Sequence, residues 1–121
     1  MKIGIMSAAF PGYEFKDVIR FLGKNKFKSV EAACWPAGEG KDRKYGGVVH
    51  IDVDDLSSSK VNEIQELCGE SGVKLSALGY YANPLHDEIE HREKVIAHLK
   101  KVIVGAEKLG VEIVGTFTGR P

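Results

Sequence analysis

The sequence predicts an α/β fold in which four short parallel strands alternate with three helices, in the order β-α-β-α-β-α-β. An apolar segment at 2–6 opens the chain as the first strand. Three later segments each run from an amphipathic helix through glycine or asparagine into a short apolar strand. Strands and helices that alternate in this way indicate a parallel sheet with right-handed crossovers.

The three helix-to-strand junctions follow one pattern, in which a glycine or asparagine ends the helix and an apolar residue returns the chain to the sheet. The junctions are Gly23 with Asn25 before the strand at 29–32, Gly72 before 75–78, and Gly110 before 113–117. Glycine directly after a helix predicts a C-cap in the left-handed conformation.

Each predicted helix has apolar residues at the spacing of one buried face. The stripes are Phe15, Val18, Ile19 and Leu22, then Val61, Ile64 and Cys68, and finally Ile96, Leu99, Ile103 and Ala106. Serines at 57–59 predict the N-cap of the second helix, and Asp87 with Glu90 predicts a capping box for the third. We expect His91 and His98 to lie on the solvated face of that helix.

The segments after strands, 33–56 and 80–85, are longer than those after helices. This asymmetry indicates a functional site at the carboxyl ends of the strands, but it does not separate a (β/α)8 barrel from a doubly wound sheet, which also binds ligands there. The first strand is not followed by G-x-G-x-x-G, which disfavours a doubly wound nucleotide-binding sheet. We therefore predict half of a TIM barrel, with residues 1–121 as its single N-terminal half-domain.

The fourth strand is predicted to be followed by no covering helix. Alternation along it suggests that Ile113 and Phe117 face the helix layer, while Val114, Thr116 and Thr118 face the other way. Uncovered apolar side chains and an open strand edge are costly. We expect either a truncated barrel or a half that pairs with another chain.

Composition excludes several classes of protein. Lys and Arg together number 17 and so do Asp and Glu, for a formal net charge of +0. This balance disfavours nucleic acid or an anionic membrane as a partner. From the sequence we expect neither a signal peptide nor a membrane span. Cys34 and Cys68 are expected to be reduced thiols in a cytoplasmic protein.

Several segments resemble a known family. They are 49–52 (VHID), 77–85 (ALGYYANPL), 115–120 (GTFTGR) and the helical run from 91 to 111. The chain is similar over its whole length to sugar phosphate isomerase/epimerase-like proteins of the xylose isomerase-like barrel superfamily. The resemblance implies a sugar or sugar-phosphate isomerase or epimerase that uses a divalent metal (Mn, Mg, Zn or Co).

The resemblance also implies that the metal ligands, two Glu, an Asp and a His, come from the fifth to eighth strands. Those strands are absent from this sequence, so we expect these 121 residues to bind no metal and to be inactive alone. The chain would contribute pocket residues for a small sugar substrate. An alternative is a non-catalytic half-barrel that binds a small ligand or self-associates through its open sheet edges.

The candidate substrate-binding residues lie at or after the predicted strand ends. They are Glu31, Trp35, His50, Tyr80, Tyr81, Asn83, Thr116 and Arg120. The Tyr80, Tyr81 and Asn83 side chains bind sugar hydroxyls in one interpretation, and pack or form a turn in the other. Arg120 would bind a phosphate or remain an exposed terminal residue.

The other candidates also have two interpretations each. Glu31 would be a buried carboxylate facing the barrel interior, for which a salt bridge to a lysine is the favoured explanation. Trp35 would stack on a sugar ring or pack under the long loop. His50 would bind substrate or be a surface histidine.

Overall fold

The structure is a computed structural model that describes residues 1–38 and 46–120. The strands are β1 (Gly4–Met6), β2 (Ser29–Ala33), β3 (Lys74–Gly79) and β4 (Val114–Gly115), and the helices are α1 (Phe15–Lys24), α2 (Ser58–Ser71) and α3 (Ile89–Leu109). A short 3-10 turn, Ser7–Ala9, follows β1. The predicted alternation of strands and helices is confirmed.

The four strands lie side by side in chain order and all neighbouring pairs are parallel. Right-handed crossovers between sequential neighbours all fall on the same face of a sheet. The helices therefore form one layer, whereas a doubly wound sheet reverses its strand order to place helices on both faces. This topology is that of a partial (β/α)8 barrel, as the sequence predicts.

The hydrophobic core lies between the helices and one face of the sheet. Alternate strand residues such as Val30, Ala32 and Leu78 point into it. The opposite face of the sheet, which we call the inner face, carries the intervening residues, among them Glu31 and Gly79. The candidate site is built on the polar residues of this inner face.

The first two helices bury the predicted stripes against this core. Phe15, Val18, Ile19 and Leu22 of α1 are all buried, as are Ile64 and Cys68 of α2, with Val61 half-buried beside them. Cys34 and Cys68 are free thiols in the same core, as expected. Burial raises the pKa of Cys34 to about 12, so this thiol is protonated and unreactive at neutral pH. Among the described helices, none has the length and hydropathy to span a membrane.

The helix C-caps follow the glycine pattern at two junctions and not at the first. Gly72 and Gly110 adopt φ values of 66° and 69°, which confirms the left-handed caps. In α1 the left-handed residue is Lys26, with φ 64°, and Gly23 lies inside the helix. A Cβ atom at Gly23 would lie 2.5 Å from the carbonyl oxygen of Ser71. That glycine thus serves the close approach of α1 to α2.

One of the two predicted N-caps is present in the structure and the other is not. Ser57 accepts a hydrogen bond from the Lys60 amide at 3.2 Å, as expected for the cap of α2. The capping box of α3 is wrong, because its N-cap is Glu88 and no side chain caps the helix. The Asp87 carboxylate instead accepts from the adjacent Glu88 amide.

The buried face of α3 is rotated from the predicted stripe by one residue. Its buried residues are Val95, His98, Val102, Gly105, Ala106 and Leu109. Ile96 and Ile103 are exposed, and Leu99 is half-buried. The solvated position expected for His98 is also wrong, because its Nε2 lies 2.7 Å from the Cys34 carbonyl oxygen and donates to it. The buried face contains a polar histidine and a glycine, so a pattern of large apolar residues does not identify it.

The facing of β4 is the reverse of the prediction. Leu78 pairs with Val114, and Gly79 pairs with Gly115. Val114 therefore shares the core side with Leu78 and packs against it. Ile113 and Phe117 lie on the other side of the strand, on the inner face, where they are 59% and 57% exposed.

The rotation of α3 can be tested with two adjacent substitutions. Val102 is 0% exposed and Ile103 is 53% exposed. We expect Val102→Ala to lower the free energy of unfolding by about 2 kcal/mol, because it removes buried methyl groups and leaves a cavity. Ile103→Ala should change it by less than about 0.5 kcal/mol. Urea unfolding of both variants measures this, and equal losses would contradict the assigned face.

Candidate substrate-binding site

A carboxylate and a phenol form a hydrogen-bonded pair on the inner face. The Tyr81 hydroxyl donates to Glu31 Oε1 at 2.7 Å, and both residues are half-buried. The partner of Glu31 is therefore this phenol and not the predicted lysine. Within the described residues, Glu31 Oε2 has no hydrogen-bond partner, so one carboxylate oxygen is available to a ligand.

Two glycines on neighbouring strands make room for this pair. Gly79 and Gly115 lie opposite each other in the β3–β4 register. A Cβ atom at Gly79 would lie 2.5 Å from Glu31 Oε1, and one at Gly115 would clash with the Tyr81 hydroxyl. The backbone is thus shaped around the two polar side chains.

The Tyr81 phenol is a hydrogen-bond donor at neutral pH. Partial burial is the main cause that raises its pKa to about 12, and the hydrogen bond and negative charge of Glu31 add to the effect. A phenol with this pKa does not act as a general base near neutrality. Tyr81 therefore orients the carboxylate and is suited to binding rather than proton abstraction.

A groove of about 430 Å³ adjoins the pair at the carboxyl ends of β3 and β4. It is lined by Tyr81, Asn83, Phe117, Thr118, Gly119 and Arg120. Its volume lies within the range of small-molecule sites. The Phe117 ring contacts the Tyr81 ring with a centroid distance of 5.2 Å, which gives the groove an aromatic wall.

Asn83 joins the two loops that form the groove. Its side-chain amide donates to the Arg120 carbonyl at 2.9 Å, and its Oδ1 accepts from the Arg120 amide at 3.0 Å. The same oxygen accepts from the Leu85 amide. Gly119, with φ 93°, packs closely against Asn83 and Leu85, so only glycine fits there without strain. These contacts hold the exposed Arg120 beside the groove.

His50 takes part in a separate network near the end of β1. Its Nδ1 lies 2.7 Å from Ser7 Oγ and its Nε2 lies 3.0 Å from the Tyr13 carbonyl oxygen. Because a carbonyl only accepts, Nε2 carries the proton, and Nδ1 accepts from the Ser7 hydroxyl. Ser7 Oγ also accepts from the Ala33 amide at 2.9 Å. Both ring nitrogens are thus engaged in joining loops.

Ser7 is a polar residue of this network that the sequence pattern does not single out. It is completely buried, and its hydroxyl links β1, β2 and the long loop through Ala33 and His50. A small hydroxyl residue directly after the first strand was the only available signal. The network makes His50 a positioning residue for the strand ends in this structure.

Trp35 and Tyr80 lie on the helix side of the sheet, away from the Glu31–Tyr81 pair. The Tyr80 ring is 3% exposed and packs between Trp35 and His98, with centroid distances of 5.2 and 4.7 Å. Thr116 is exposed just after β4. The structure therefore brings together Glu31, Tyr81, Asn83 and Arg120 and places the other four candidates elsewhere.

A divalent metal is the cofactor that the family resemblance implies. In the parts of the chain described, 1–38 and 46–120, no three His, Cys, Asp or Glu side chains converge closely enough to hold an ion. Glu31 has a phenol and two glycines around it instead of further ligands. The described residues therefore do not by themselves fit a metal centre.

The sheet order, single helix layer and polar groove at the strand carboxyl ends define a segment of a parallel α/β barrel. The sequence matches the family described as xylose isomerase-like TIM barrel over residues 18–121, and the chain belongs to this family. This confirms the resemblance drawn from the sequence. The search of curated proteins gave no match.

Solved structures show the same fold. The probable 3-DHS dehydratase AsbF from Bacillus anthracis matches with a TM-score of 0.64 and 17% identity, over 98% of this chain and 39% of that one. D-psicose 3-epimerase from Clostridium cellulolyticum H10 matches with a TM-score of 0.61 and 20% identity, over 96% and 37%. A sugar phosphate isomerase/epimerase from Parabacteroides distasonis matches with a TM-score of 0.56 and 17% identity, over 99% and 40%. The chain thus spans about two fifths of the length of these structures.

The His50 network predicts a pH-dependent stability. Burial lowers the pKa of His50 below its usual value, and the carbonyls of Tyr13 and Phe10 only partly offset this. The unfolded chain therefore takes up this proton first as the pH falls. The neutral ring contributes its full stability above about pH 6.5, and this is lost as the pH falls towards the lower folded-state pKa.

We expect His50→Gln to reduce the fall in the free energy of unfolding between pH 7.5 and pH 5.5. Urea unfolding of the wild type and the variant at pH 7.5 and pH 5.5 measures this fall in the free energy of unfolding. The assignment is wrong if His50→Gln leaves the pH dependence unchanged.

Proposed function

We propose that this chain supplies the N-terminal, substrate-binding part of a divalent-metal-dependent isomerase or epimerase that acts on a sugar or sugar phosphate. The observation that carries the proposal is the Glu31–Tyr81 pair on the inner face, next to the groove at the strand ends. Membership of the xylose isomerase-like family and the likeness to an epimerase structure support the class of reaction.

The chemistry of the pair suits a polyhydroxylated ligand. Glu31 Oε2 would accept a hydrogen bond from a sugar hydroxyl while Tyr81 holds the other carboxylate oxygen. Hydrogen bonds to a charged group contribute about 1.5–3 kcal/mol, and they are strongest where water is partly excluded. Phe117 and Tyr81 would pack against the apolar face of the ring.

Arg120 would distinguish a sugar phosphate from a free sugar. Its backbone is held by both the amide and the carbonyl of the Asn83 side chain, and its side chain lines the groove. A guanidinium binds phosphate oxygens through two parallel hydrogen bonds. Asn83 therefore acts in this proposal by positioning the arginine.

In the proposed enzyme, the bound metal would polarise the sugar carbonyl, and its ligands would come from strands outside the described part of this chain. The residues described here bind and orient the substrate. The alternative is a non-catalytic half-barrel with the same ligand site. The coding sequence after Pro121 would separate the two, since the enzyme requires Glu, Asp and His at further strand ends.

The binding site can be tested by titrating the isotopically labelled 121-residue chain with D-tagatose, fructose and fructose 6-phosphate while its amide resonances are followed. We expect shifts at Tyr81, Asn83 and Gly119, and an affinity at least about tenfold weaker in Glu31→Gln, because a charged acceptor is lost. Glu66→Gln, on the exposed surface of α2, is the matched control and should bind normally.

Arg120→Gln should weaken only the phosphorylated sugar. Scattered shifts, or unchanged affinity for all three sugars in Glu31→Gln, would count against this site.

A further inference from the structure

A cavity of about 580 Å³ lies on the helix side of the sheet, between α3 and the segments that follow β2 and precede α2. Its lining includes Trp35 after β2, Asp54 before α2, and Ala97 and Lys101 of α3. Both walls come from described elements around β2 and β3, so the cavity is independent of the strands that the proposed enzyme requires elsewhere. Its volume is within the range of small-molecule sites.

Aromatic side chains form the floor of this cavity and hold one another in place. Tyr80 is 3% exposed and His98 is 7% exposed. The Tyr80 ring makes edge-to-face contacts with both Trp35 and His98, at interplanar angles of 80° and 73°. The His98 ring is in turn fixed by its hydrogen bond to the Cys34 carbonyl oxygen. The rings are therefore ordered before a ligand arrives, which reduces the entropy cost of binding.

Trp35 is the ring of this cluster that stays half-exposed. A second flat ring would cover the part of the indole that remains in water, and aromatic pairs are favourable beyond the apolar area that they bury. Other residues that line the cavity, Pro36, Ala82 and Ala97, offer no side-chain hydrogen bonds to the hydroxyls of a sugar. This wall therefore favours a planar apolar ligand over a polyhydroxylated one.

The rim of the cavity supplies positive charge. Among the described residues that line it, Lys94 and Lys101 are cationic and Asp54 is the one carboxylate. Lys101 Nζ lies 2.8 Å from Asp54 Oδ1, and both side chains are 54% exposed. Ion pairs this exposed contribute little to stability. Lys101 can therefore exchange the Asp54 carboxylate for the carboxylate of a ligand at small cost.

We propose that this cavity binds a small aromatic carboxylate, with the ring of the ligand against Trp35 and its carboxylate paired with Lys101. The ligand would replace Asp54 as the partner of the lysine. The cavity and the Glu31–Tyr81 pair lie on opposite faces of the sheet. The proposal therefore concerns a second site and goes beyond the proposed function.

Trp35 is the single tryptophan of the chain, so intrinsic tryptophan fluorescence reports on this cavity. The probe is benzoate, titrated into the full 121-residue chain. Benzyl alcohol is the comparison without a charge, and acetate is the comparison without a ring. We expect a saturable change with benzoate, at least about threefold weaker binding of benzyl alcohol, and no change with acetate.

Substitutions at three exposed positions separate this site from non-specific binding. Lys101→Gln should weaken benzoate binding at least about threefold, because the cation is lost. Asp54→Asn should strengthen it about twofold, because the competing carboxylate is lost. Lys100→Gln, on the exposed surface of α3 outside the cavity, is the matched control and should bind as the wild type does. The far-ultraviolet circular dichroism of all three variants should be that of the folded chain.

The absence of a saturable change with benzoate, equal binding of benzyl alcohol, or equal effects of Lys101→Gln and Lys100→Gln would each overturn the proposal. Weaker benzoate binding in Asp54→Asn would do so too. Sugar binding at Glu31 is measured with other ligands and at other residues, so this proposal and the proposed function can fail separately.

Discussion

The parallel register between β3 and β4 determines what lies on each face of the sheet. It places Gly79 opposite Gly115, and these two positions without side chains leave the space in which Tyr81 reaches Glu31. The same register directs Val114 into the core and Phe117 towards Tyr81. A slip of one residue would exchange the two faces and remove both the core contact and the site.

A half-buried carboxylate is costly unless it is hydrogen-bonded. Tyr81 satisfies one oxygen of Glu31 and leaves the other for a ligand. Uncovered apolar neighbours such as Met6 and Ile113 surround this polar pair on the inner face. Whatever covers them also lowers the local dielectric around Glu31, which would strengthen the hydrogen bonds that it accepts. Covering of the inner face and binding of a polar ligand would thus be physically linked.

Much of the fold could be predicted from local patterns. The alternation of strands and helices, the α1 stripe and the left-handed caps at Gly72 and Gly110 follow from backbone chemistry and periodicity. The facing of β4 could not, because alternation separates Ile113 from Val114 without saying which face meets the helices. Only the long-range pairing of Leu78 with Val114 decides that.

The candidate site was only partly predictable for the same reason. Glu31, Tyr81, Asn83 and Arg120 were selected because they lie near strand ends, but proximity in space required the register. Tyr80 and Tyr81 directly follow β3, where consecutive side chains of extended backbone point to opposite faces, and this separates Tyr81 from the buried Tyr80. The buried face predicted for α3 was wrong because the helix carries two overlapping apolar stripes that are one residue apart. The stripe that is buried contains His98, which makes a buried hydrogen bond.

The facing of β4 is tested most directly by nuclear Overhauser contacts in the labelled chain. The account predicts contacts between the Phe117 and Tyr81 rings, whose centroids lie 5.2 Å apart, and contacts from the Val114 methyl groups to the helix-side core. Contacts from Phe117 to the side chains of α3, with Val114 beside Tyr81, would contradict it.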